Sequence, residues 1–157
     1  MKFVVNYAGS LVHQAFDVID EAGKLAYKIR GNTLMFGAKT TIFNANDQEL
    51  ALLKQKISLT HYSYNILRDG QLIANVTKKN LSLKPKFTIN GLDWSVEGKF
   101  LSREYKLFNN NGEVIAIIDR QGLLQEGAYA FELIDQTVEP VTVLAVLTAI
   151  DAALMQK

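Results

Sequence analysis

The sequence predicts a mainly β domain: an antiparallel, closed barrel of about twelve strands wrapped around a hydrophobic C-terminal α-helix. Three observations predict it. Turn signals recur about every 22 residues, short alternating runs flank each of them, and the one convincing helical stretch is apolar almost all the way round. A surface helix keeps a polar face, whereas one apolar on every side has to be buried in protein or lipid.

The turn signals are Glu21-Ala22-Gly23, Asn46-Asp47, Asp69-Gly70, Asn90-Gly91 and Asn111-Gly112. Asx-Gly pairs favour tight hairpin turns because Asn and Gly tolerate positive φ. Strand-like runs lie on both sides of each. Ala15–Ile19 and Lys24–Ile29 flank the first, Thr41–Phe43 and Glu49–Lys56 the second. Tyr62–Ile66 and Leu72–Val76 make the clearest hairpin, Phe87–Ile89 and Trp94–Val96 the next, Tyr105–Phe108 and Val114–Ile118 the fifth. Ala128–Ile134 is a last strand, and Phe3–Tyr7 and Leu34–Gly37 add edges. A strand-turn-strand unit repeated in this way is a meander, and closing it protects its edges. No low-complexity or Pro-rich linker interrupts it, so residues 1–157 read as one domain, with strands over about 2–135 and the helix over about 140–155.

The helical stretch runs from Pro140 to Met155. Val143, Val146, Leu147, Ile150 and Leu154 form a bulky face, and Ala145, Ala149, Ala152 and Ala153 a small one. Only Thr148 and Asp151 break the ring. Pro140 suits a first turn, where a missing N–H costs nothing, and Glu139 favours the helix dipole. A barrel of about twelve strands has a radius near 12 Å, enough for one central helix. About 15 residues at 1.5 Å make a rod of roughly 22 Å, matching the height of tilted strands and falling short of a roughly 30 Å hydrocarbon core. The reading is a plug, not a membrane span. The small Ala face predicts a helix set off the barrel axis.

Composition excludes several function classes. Net charge is +1, with 17 basic and 16 acidic residues, so no global field points to nucleic acid. The absence of cysteine removes disulfides, thiolate metal sites and a cysteine nucleophile, and suits a cytoplasmic chain. The N-terminus alternates and carries no signal-peptide core.

The order of these features resembles the bacterial LURP-one-related family of the tubby C-terminal-like superfamily, kin to the phospholipid scramblases. The likeness is carried by Phe16–Gly23, Tyr62–Gly70, Val96–Phe100 and Ala149–Ala152, and it runs over residues 1 to about 155. It implies a twelve-stranded barrel wrapped round its C-terminal helix. For function it implies only a neighbourhood: tubby relatives bind phosphoinositides and scramblase relatives act at bilayers.

Enzyme motifs are absent: there is no Gly-x-Ser-x-Gly elbow, phosphate loop or dinucleotide fingerprint. His13 and His61 sit in different hairpins without the cluster a metal needs, and Ser10, Ser58, Ser63 and Ser102 have no paired base. No catalytic residue, metal or cofactor is expected. Asp151 reads either as a buried acid with a raised pKa or as a carboxylate near a barrel mouth, solvated or paired with a loop Lys or Arg; the second is expected. The aromatic set Tyr62, Tyr64, Trp94, Tyr105 and Phe108 reads as cross-strand core packing before a ligand cleft. The best charge feature is Lys78-Lys79-Asn80-Leu81-Ser82-Leu83-Lys84-Pro85-Lys86. Its lysines Lys78, Lys79, Lys84 and Lys86 are the candidate lipid- or anion-binding residues. The expectation is a non-enzymatic binding or scaffold module at the membrane inner face, with anionic phospholipid or a protein as partner and no transmembrane span. The alternative is a small-ligand carrier or enzyme using a groove at the barrel rim.

Overall fold

The computed structural model describes residues 1–9, 14–32, 39–56, 61–79, 85–120 and 128–155. The expected strand at Leu34–Gly37, and Ser10, His13, Ser58 and Lys84, lie outside the described residues. The described residues form twelve strands: β1 (Lys2–Tyr7), β2 (Gln14–Ile19), β3 (Leu25–Asn32), β4 (Lys39–Asn44), β5 (Glu49–Lys56), β6 (His61–Arg68), β7 (Gln71–Lys79), β8 (Phe87–Asn90), β9 (Ser95–Lys99), β10 (Glu104–Phe108), β11 (Val114–Asp119) and β12 (Tyr129–Leu133). One helix, α1 (Pro140–Met155), follows.

All twelve strands belong to one antiparallel sheet, ordered β8-β7-β6-β5-β4-β3-β2-β1-β12-β11-β10-β9. The first strand pairs with the last, Lys2 opposite Glu132 and Val5 opposite Tyr129, which curls the meander round on itself. Closure is nearly but not fully achieved. Between β8 and β9 no ladder forms among the described residues, so the expected twelve-stranded barrel is nearly closed. Side chains stitch this seam instead: the Phe87 ring meets that of Phe100 at 5.0 Å, and Phe100 meets Tyr105 at 5.2 Å.

Alternation sorts the strands as period-2 geometry requires. Phe3, Val5, Val18, Ile29, Ile42, Leu53, Ile66, Val76, Leu107, Ile118 and Phe131 point inward and are almost wholly buried. On α1, Val141 and every residue from Val143 to Ala153 is buried. The helix approaches β5, β6 and β7 most closely, where Ala51 and Ala74 leave room. The far side carries the larger Phe3, Tyr129 and Phe131, with the first and last of these stacked at 5.0 Å. The helix therefore sits nearer to β5, β6 and β7 than to the other strands.

The turns depart in detail from the Asx-Gly expectation. Only Asp69-Gly70 has positive φ at both residues, 51° and 76°, as a two-residue hairpin of that type needs. Three other hairpins are organised one or two residues earlier, by Asp20, Asn44 and Asn109. Each Oδ1 accepts N–H bonds from residues two and four further on: Ala22 and Lys24, Asn46 and Gln48, Asn111 and Glu113. The side chain imitates a backbone carbonyl and fixes the turn before its positive-φ residue (Gly23, Asp47 or Gly112) is reached. Register slips by one residue beside all three.

These hairpin turns and the start of α1 share one end of the barrel. There Arg68 bridges Glu139 at 2.5 Å and donates to the Leu50 carbonyl at 3.2 Å. The C-terminus of α1 emerges at the opposite mouth, where the remaining strand connections leave and return.

Two substitutions test the packing. Ile150, fully buried in the middle of the core, is expected to cost about 4 kcal/mol or more as Ile150→Asp, read by urea unfolding; a change within about 0.5 kcal/mol would place it at the surface. Gly98 has φ 143°, and a Cβ there would lie 2.5 Å from the Glu104 carbonyl oxygen. Gly98→Ala is expected to lower stability by about 2 kcal/mol, and an unchanged unfolding midpoint would contradict this close approach.

Candidate functional site

The chemistry of the chain gathers at the mouth where α1 ends. Asp151 lies in the last turns of the helix, about 16 Å along its axis from Pro140. It is buried, with 7% exposure, so the solvated version of the expectation is corrected. The paired version holds. Arg103, from the turn between β9 and β10, places Nη1 3.4 Å from Asp151 Oδ2. The same guanidinium lies 5.2 Å from the centre of the Tyr129 ring, and the Tyr129 hydroxyl donates to the Asp151 carboxylate. Burial is the largest influence on Asp151 and pushes its pKa up to about 6, opposed by Arg103 and by the Tyr129 hydrogen bond. Burial and the nearby carboxylate push the Tyr105 and Tyr129 hydroxyls well up. The Tyr105 Oη is buried without a hydrogen-bond partner.

Beside this cluster is a cavity of about 10 Å³ among Val5, Gly31, Thr40, Tyr129, Thr148 and Asp151, room for about one water molecule. Gly31 lets the Thr40 hydroxyl approach the backbone, since a Cβ would stand 2.6 Å from Thr40 Oγ1. Thr148 satisfies itself by donating to the Leu144 carbonyl at 2.7 Å. Two larger depressions lie on the outer wall. One of about 390 Å³ lies over β5 and β6, and one of about 560 Å³ over β9 to β11, where Glu97 stands opposite Lys106.

The candidate lysines divide. Lys78 follows Ala74 and Val76 on the inward face, reaches the Ala153 carbonyl at 3.5 Å and lies 5.5 Å from the Tyr62 ring centre. The last turn of α1 has no basic residue of its own, and Lys78 supplies the charge that the negative end of the dipole favours. Lys79 and Lys86 are exposed on the outside of the same mouth, and the Lys79 N–H bonds to the Lys86 carbonyl at 3.1 Å. The aromatic set does not converge on a cleft. Tyr64 and Tyr105 are core residues on β6 and β10, and Tyr62, Trp94 and Phe108 are half-buried at separate places. Ser63 is bonded to Thr77 and Asn75, at 3.1 and 2.7 Å, with no base beside it. Among the described residues no three His, Cys, Asp or Glu gather as for a metal, and no helix is long and apolar enough to cross a membrane.

Sequence reasoning missed Arg103, which lies 48 residues from its partner. One signal was available. Following the meander, the chain reaches the helix-C-terminal mouth at residue 100, so Arg103 is among the few arginines able to meet a carboxylate near the end of α1.

A nearly closed twelve-stranded barrel filled by its own C-terminal helix defines the class: a tubby C-terminal-like barrel. The profile of the LURP-one-related family matches residues 1–151, and the chain belongs to that family. The Bacillus subtilis protein YxjI is 29% identical over 93 residues, a match that spans 59% of this chain and 57% of that protein. A protein of Arabidopsis thaliana solved by X-ray crystallography has the same fold at 13% identity, with a TM-score of 0.64 over 96% of this chain and 90% of that one.

Asp151 has a pH signature with a definite sign. Its pKa is about 6 in the fold and about 4 in the unfolded chain, so between these values the native state holds the extra proton. Its contribution to stability is fully present below about pH 4, is lost as pH rises to about 6 and is flat above, a span of about 3 kcal/mol. Asp151→Asn is expected to remove this component when unfolding free energies at pH 4 and pH 7 are compared with those of the parent chain. An identical pH profile would refute the buried, raised carboxyl.

Proposed function

We propose that the protein is a non-enzymatic binding module whose helix-C-terminal mouth engages anionic phospholipid head groups through Lys79 and Lys86, with Lys84 between them in sequence. The observation that carries this reading is the pairing of Lys79 and Lys86 at the ends of adjacent strands β7 and β8. Two ammonium groups start there from neighbouring backbone positions on an exposed surface. Lys78 contributes indirectly: by offsetting the negative end of α1 it lessens the field that would repel an anion from this mouth. The inner cavity, at about 10 Å³, is far below the several hundred Å³ of a small-molecule site, which favours a surface ligand over a carried one.

Each lysine near an anionic surface contributes about 1 kcal/mol, so neutralising both as Lys79→Ala and Lys86→Ala is expected to weaken binding about 30-fold. Co-sedimentation with phosphatidylserine-containing and neutral vesicles, at low and high salt, reads this directly. Partitioning that ignores both lipid charge and salt would reject the proposal.

A further inference from the structure

We propose that Leu101 is an apolar tip that enters the bilayer interface when this mouth docks, so that the surface takes a phospholipid bilayer rather than a soluble polyanion. The inference rests on the lipid reading above and adds to it an apolar contact that charge alone does not supply.

Leu101 is the most exposed large apolar residue among those described, at 77%. A single exposed leucine is ordinary on a protein surface. This one is held out by its neighbours. Phe100 is buried between Phe87 and Tyr105. Arg103 is drawn into the mouth by Asp151 and the Tyr129 ring. The Arg103 N–H closes the turn on the Phe100 carbonyl at 3.0 Å, and Arg103 takes a left-handed φ of 56° to do so. Both ends of the turn are thereby pinned to the core, and the Leu101 side chain stands exposed between them.

Position supplies the second argument. The other exposed large apolar residues, Met1, Leu72 and Ile134, flank the hairpin-turn end, so Leu101 is alone at its mouth among the described residues. The charges beside it are mixed on one side, where Lys99 stands opposite Glu104 across the β9–β10 ladder, and basic towards β7 and β8. Lys99 directly precedes Phe100, and the Phe87 ring that meets Phe100 follows Lys86, whose carbonyl bonds to Lys79. An apolar tip with Lys79 and Lys86 to one side matches the layered chemistry of an anionic bilayer, with phosphate at the level of the ammonium groups and acyl chain beyond it. A soluble polyanion offers the charge without the apolar layer.

The experiment uses the full chain with Leu101→Trp and Leu101→Ser. With phosphatidylserine vesicles, the emission of L101W is expected to move to the blue and to be quenched by brominated acyl chains. Trp94, at the opposite end of the barrel, gives the parent chain no such change. L101S is expected to keep the parental thermal unfolding and the parental salt dependence, with vesicle affinity about tenfold weaker. Heparin, as the soluble polyanion, is expected to leave the L101W emission unmoved. Vesicle-bound L101W without shift or quenching, or L101S that binds as tightly as the parent, overturns the tip while leaving the lysine reading in place. A parent chain that does not sediment with anionic vesicles overturns both.

Discussion

The interior of a twelve-stranded barrel has to be filled, and that requirement governs nearly everything else here. Side chains alone fill a barrel of about eight strands; at twelve, a rod must occupy the axis. The helix that does so meets strands on all sides and can have no polar face. The dependence runs both ways. Val141, Val143 and Val146 are mediocre helix formers, so α1 is stable because the sheet surrounds it. Polar atoms on such a rod have to be satisfied locally or near an opening. Thr148 bonds its own backbone, and Asp151 waits until the mouth, where Arg103 and Tyr129 can reach it.

The two ends of the barrel are consequently different in kind. One is sealed by short turns in which Asp20, Asn44 and Asn109 repeat the same side-chain bond pattern, with Arg68 tying the helix start to β5. The other holds the raised carboxyl, the two buried tyrosine hydroxyls, the lysines and Leu101. Lys78 shows how closely structure and surface are joined there. Inside the rim it offsets the helix dipole, while Lys79, one residue further, faces out.

Much of the fold was legible because it is written in periods. Alternation of two and an apolar run longer than any strand require no knowledge of partners, and they located the strands and α1. Where the reading slipped, the determinant was a side chain acting on a backbone it does not adjoin. The turn at Asn109 looks like an Asn111-Gly112 turn until Asn109 Oδ1 is seen to hold it. The seam between β8 and β9 is invisible because Phe87 and Phe100 substitute rings for a ladder. The lysine segment was found as a charge run, yet the same alternation that places Val76 inside also places Lys78 inside. Asp151 with Arg103 was beyond any local pattern, since their proximity depends on completing the barrel.

The pairing of β1 with β12 has a further consequence, for the order in which the chain can become structured. Residues 2–7 leave the ribosome before residues 129–133, their second neighbour, and the axis stays empty until α1 is made. Hairpins can form as they emerge; the barrel cannot. Until then the inward faces of Val5, Val18, Ile29 and Ile42 have nothing to cover them. Contacts between residues so far apart fold slowly, and unpaired strands with exposed apolar faces invite association. The filling that makes the finished barrel stable thus arrives after the strands it supports, and until then they form a sheet in need of shelter.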